Sequence, residues 1–198
     1  MSTFKTRMQE RLKEWQADLE SLQVQFNLGK KEAAEQFEQH KRQLQKWMEA
    51  QQAEVKEEMG EAQSEIKEAY DELLAKLKKS SAAAETNMAE QQAAFSDTMD
   101  RLQTKAKQAE QEGTARSAEA AESLRDRLLR FRAHMEVLAM KAQAETSEEY
   151  EEAKAEAREN VAEFKKKAAE WKSEAQEEWA EFQEDFEKTF NRWKQKFQ

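Results

Sequence analysis

Heavy apolar residues return along the first part of the chain at steps of three, four and seven. They are Phe4, Met8, Leu12, Trp15, Leu19, Leu22, Phe26, Phe37, Leu44, Met48, Val55, Met59, Ile66, Leu73 and Leu77. Turned through 100° per residue, these positions hold within an arc of roughly 100°. The pattern predicts one helix over about 3–79, on the order of 115 Å long at 1.5 Å per residue.

The stripe resumes at Met88, Phe95, Met99, Leu102, Leu124, Leu128, Phe131, Met135 and Leu138, predicting a second helix over about 82–145. A third, over about 147–197, follows from Tyr150, Val161, Phe164, Trp171, Trp179, Phe182, Phe186, Phe190, Trp193 and Phe197. Its steps often run three, four, four, a period of eleven that favours straight or slightly right-handed packing. Turn signals are sparse. Lys78-Lys79 before Ser80-Ser81 suits a helix C-terminus, and Thr146 with Glu149 fits a capping box.

Reversals at those two places predict an all-α, elongated, antiparallel three-helix bundle or coiled coil with very long helices, as one domain over 1–198. By level, Gly29, Gly60 and Gly113 each then face a large aromatic, the large-against-small pairing of a close-packed interior. The rival geometry is one very long helix in an extended coiled-coil dimer.

Composition fits helices. The chain has no Pro or Cys and only three Gly, and 38% of it is charged. Such charge also suits disorder, but ten Phe, five Trp and eight Met supply a core. Without Cys there are no disulfides, thiolate metal sites or thiol nucleophiles. Residues 1–15 hold no continuous apolar run and no stretch is long enough to span a bilayer, so the expected location is the cytoplasm. A net charge of −9 argues against nucleic acid, which needs a basic field.

Signals for catalysis are thin. Helical bundles house di-iron sites through Glu-x-x-His pairs, but Phe37 and Phe131 stand three residues before His40 and His134. The level arithmetic sets His134 near Phe26, roughly 20 Å along the axis from His40, so no metal pair is expected. The many carboxylates lack a concave, desolvating site. Neither a cofactor nor a small-molecule substrate is predicted, and the chain is expected not to be an enzyme. Arg125, Arg127, Arg130 and Arg132 in SLRDRLLRFRAH form the main basic cluster. It is a candidate anion contact, or else it pairs with a neighbouring acidic helix, Glu159 and Glu163 by level.

The aromatic stripe of the last helix must be covered. Its eight Phe and Trp rings, at roughly 150–250 Å² each, exceed the few hundred Å² that a monomer leaves exposed in one patch. A core is the favoured cover. Lipid is the other, because the closing KTFNRWKQKFQ is basic beside its rings; the acids of residues 174–187 oppose it. Unequal helix lengths leave Phe4, Met8 and Leu12 projecting at one end, and Ile66, Leu73, Leu77, Met88 and Phe95 with two helices to share at the other. Uncovered seams recruit further helices, so Phe4, Met8, Leu12, Phe190, Arg192, Trp193, Lys194, Lys196 and Phe197 are candidate interaction residues, for self-association or other helical proteins.

FKTRMQERLKEWQADLESL, SEIKEAYDELLAKLKKS and the spaced tryptophans resemble small uncharacterised bacterial coiled-coil proteins. The eleven-residue rhythm is similar to the apolipoprotein A/E class, a resemblance that implies reversible binding to lipid surfaces. The prolines that punctuate apolipoprotein repeats are missing, and no functional residue carries over from either group. The expected function is that of a non-catalytic structural or protein-interaction coiled coil. A reversible lipid-surface binder, apolipoprotein-like or stress-protective, is the alternative.

Overall fold

The computed structural model describes residues 2–58, 64–80, 88–112, 115–143, 148–170 and 176–197. These are all-α, with seven helices and no strand among them. In order they are α1 (Ser2–Gln25), α2 (Lys30–Glu58), α3 (Ser64–Ser80), α4 (Met88–Glu112), α5 (Ala115–Gln143), α6 (Glu148–Glu170) and α7 (Gln176–Phe197). The chain divides into two compact units. One joins Met1–Gly29 to Gln143–Gln198; the other is Lys30–Ala142.

The helix expected over 3–79 is divided. Its described interruption lies at 26–29, where the backbone N–H groups of Asn27 and Leu28 donate to the carbonyls of Val24 and Gln25, the tightening common at a helix end. Asn27 secures the stop from both sides. Its Nδ2 donates to the Gln23 carbonyl, and its Oδ1 accepts from Arg158 of α6. Gly29 therefore lies between two helices and not within one; Gly60 and Gly113 lie outside the described residues.

In the first unit, Gln16 meets Ala168, Glu20 meets Lys165 and Asn27 meets Arg158, so α6 runs antiparallel to α1. Lys167 reaches Asp185 and Phe164 packs on Phe186, so α7 reverses again, inside the stretch expected as one helix over 147–197. The core is aromatic. Trp15 stands edge-on to Trp179, Phe182 and Phe186, with ring centroids 6.2, 5.2 and 4.7 Å away. Phe164 closes the group at 5.0 Å from Phe186, and Phe190 stacks behind it at 5.8 Å.

The second unit is a sequence of antiparallel neighbours. The Tyr70 hydroxyl donates to the Met48 carbonyl at 2.6 Å, and Lys78 pairs with Glu49, so the chain reverses between α2 and α3. Arg101 pairs with Glu72 and Lys105 with Glu65, joining α3 to α4. Arg125 pairs with Glu110 and Arg132 with Asp100, joining α4 to α5. Two of these reversals, α2 to α3 and α4 to α5, fall inside stretches where the apolar rhythm predicts continuous helix. α3 ends at Ser80, α5 at Gln143, and α6 begins at Glu148.

Candidate functional site: the polar interior of the four-helix unit

α5 departs from ordinary amphipathic logic. A surface helix buries one stripe, yet every residue from Leu128 to Met140 is buried, together with Leu124, Arg125 and Asp126. Six ionisable side chains are carried inside with it: Arg125, Asp126, Arg130, Arg132, His134 and Glu136. Charges taken out of water require partners, and α4 and α5 itself supply them.

Arg132 is the most heavily engaged. Its Nη1 lies 2.8 Å from Asp100 Oδ1 and donates to Gln103 Oε1 at 3.4 Å, while its Nε donates to Glu136 Oε1 at 3.1 Å. Arg130 pairs with Asp126 one turn back at 3.2 Å, and Arg125 reaches Glu110 at 3.3 Å. Arg127, half-buried, holds its guanidinium 5.9 Å from the Trp47 ring. The four arginines thus meet acids of α4 and α5 and an indole of α2. Glu163, one of the acids expected to meet them by level, pairs with Lys167 of its own helix.

The fold also brings together two histidines expected to lie apart. His40 of α2 and His134 of α5 stack with ring centroids 4.3 Å apart and planes 14° from parallel. The expected separation of roughly 20 Å fails because it assumed one reversal between the two residues, whereas α2, α3, α4 and α5 supply three. Parallel stacked imidazoles do not converge their nitrogens on one ion. No group of three or more His, Cys, Asp or Glu suited to a metal occurs among the described residues.

Lys41, beside His40, is fully buried. Its Nζ donates to Glu38 Oε1 at 2.6 Å and to Gln91 Oε1 of α4 at 2.8 Å, 6.0 Å from the Phe37 ring centroid. Its position had a signal, since Phe37, Lys41, Leu44 and Met48 step by four, three and four along the apolar stripe. A lysine inside that rhythm marks a core cation with a partner on another helix.

A second polar group joins α3 to α4. Lys76 Nζ donates to the Thr98 hydroxyl at 2.7 Å, and that hydroxyl donates to Glu72 Oε1 at 3.1 Å. Lys76 and Arg101, both hydrogen-bonded to Glu72, hold its carboxyl down at about 2. A hydroxyl between an amine and a carboxylate resembles a nucleophile with its base, but here Lys76 is ion-paired to Glu72 and donates. A carboxylate with so low a pKa is a poor proton acceptor, and Thr98 is fully buried. Lys78, then Gln45, hold Glu49 below its ordinary value, whereas burial, with Asp71 nearby, raises the Tyr70 phenol.

The expected interaction residues are placed as follows. Met8 and Phe190 are buried, Leu12 is half-buried and Arg192 is exposed. The side chains of Phe4, Trp193, Lys194, Lys196 and Phe197 lie outside the described residues. Ile66, Leu73, Leu77 and Phe95, expected to be short of cover, are buried, and Met88 is half-buried. At Ile66, Leu73, Leu77 and Phe95 the expected exposure is therefore closed, because the additional reversals bring α2, α3 and α4 against one another. Among the described residues Val24 is the exposed large hydrophobic, and no helix is long and apolar enough to cross a membrane. Compared with protein-family models, with curated proteins and with solved structures, the chain matches none.

Proposed function

We propose that this chain is a non-catalytic helical interaction protein, which presents charged helix faces to other helical proteins or to further copies of itself. The observation that carries the reading is the seating of the α7 rings. Trp179 and Phe186 are buried against Trp15 of α1, so these rings of the stripe that would serve a lipid surface are spent on a core. The polar interior supports the same reading, since its charged side chains join helix to helix.

The test is flotation with phosphatidylcholine–phosphatidylglycerol vesicles, read together with tryptophan emission. The protein is expected to stay at the bottom of the gradient, with emission already blue in buffer and unmoved by lipid. Flotation with a further blue shift would establish the lipid-binding alternative and sink this one.

A further inference from the structure

Opposite its buried stripe, α2 carries Glu35, Glu38, Gln39, Arg42, Gln43 and Lys46 around an open depression of about 690 Å³. Along the axis the charges run acid, acid, base, base. Glu35 is 68% exposed and meets Lys31 only at 4.0 Å, an exposed pairing of little worth. Glu38 gives one carboxylate oxygen to Lys41 and keeps the other. Arg42 and Lys46 are exposed and pair with no carboxylate among the described residues.

We infer that this face docks a second copy of the chain, α2 against α2 and antiparallel. The inference rests on the interaction-protein reading above. Antiparallel pairing about a two-fold axis between Gln39 and Gln43 sets Glu35 of each copy opposite Lys46 of the other, and Glu38 opposite Arg42. Each contact then occurs twice, as an isologous interface requires. A parallel pair would set like charge against like, so the charge order selects the direction. The face is locally neutral within a chain of net charge −9, which makes it a place where two copies approach without opposing fields. Packed helices lie about 8–10 Å apart, and the depression receives the ridge of the partner helix. A single-helix contact falls well below the roughly 800 Å² per partner of a stable complex. The association is therefore transient, with a Kd on the order of 100 µM.

The test is sedimentation velocity from 10 to about 500 µM in 150 mM salt, where a Debye length of about 8 Å screens the net charge. Glu35→Lys and Lys46→Glu alter exposed side chains and leave the core untouched, and each is expected to weaken self-association about tenfold. Mixing the two variants, or combining them as Glu35→Lys/Lys46→Glu, restores opposite charges and is expected to restore association. A wild type that stays monomeric throughout, or association that neither substitution weakens, overturns the inference. So does failure of the charge-swapped pair to recover. None of these outcomes touches the interaction-protein reading, which fails separately if the protein floats with vesicles.

Discussion

Lys41 stands where the apolar rhythm calls for a hydrocarbon, and its side chain answers in two parts. The four-carbon stem fills a stripe position between Phe37 and Leu44, and the ammonium ties α2 to Gln91 of α4. A buried pair is weak evidence for stability, because desolvation offsets much of the attraction. Lys41→Met, which keeps the stem's volume, is therefore expected to leave unfolding stability within about 1 kcal/mol, whereas Lys41→Ala loses about 2–3 kcal/mol through the cavity it opens. Urea midpoints decide, and a Met variant as damaging as Ala would assign the stability to the ammonium instead. Trp15 is the contrasting case, a buried ring packed against Trp179, Phe182 and Phe186. Trp15→Ala is expected to cost about 3–5 kcal/mol, read as a lowered urea midpoint.

Between elements, polar contacts place α3. Glu72 takes hydrogen bonds from Lys76 and Arg101, which hold its pKa at about 2 against an ordinary 4.5. A depressed carboxylate contributes stability that is whole above its unfolded value and lost as pH falls through the folded one. Glu72→Gln is expected to be less stable than the parent at pH 7, with the gap narrowing from pH 5 to pH 2. A gap that stays constant over that range would show that the ionised form carries no special contribution. Tyr70→Phe, which removes the hydrogen bond to the Met48 carbonyl, is expected to cost about 1 kcal/mol. These contacts also explain what the sequence withheld. Helical character and the buried face were legible, since Leu44, Met48, Val55, Ile66, Leu73 and Leu77 are all interior. The reversal between α2 and α3 was not, because those residues keep one phase across it and no proline marks the bend. The stop at Asn27-Leu28-Gly29 had a local signature, but the spacing from Phe26 to Phe37 ran through it. Every level assignment inherited these omissions, which is why the His40–His134 stack and the acid partners of the arginines went unseen.

Across the whole molecule the two units differ in how far the chain must travel to close them. In Lys30–Ala142 the contacts joining consecutive helices span short distances, such as Tyr70 to Met48 at 22 residues and Arg101 to Glu72 at 29. The other unit needs both parts of a divided sequence, with Gln16 meeting Ala168 across 152 residues and Asn27 meeting Arg158 across 131. Each doubling of a closed loop costs about 0.6 kcal/mol of chain entropy, so a roughly fivefold longer loop costs about 1.4 kcal/mol, near a factor of ten in the chance of encounter. Local contacts form first when topology limits the rate. The α3–α4 pair is therefore expected to gain amide protection before α1 and α6 when the denatured chain is diluted into buffer, with α1–α6 protection trailing about tenfold. Pulsed hydrogen exchange read by mass spectrometry resolves the order. Simultaneous protection of α1 and α3 would mean that the aromatic core around Trp15 collapses early enough to outweigh the longer loop.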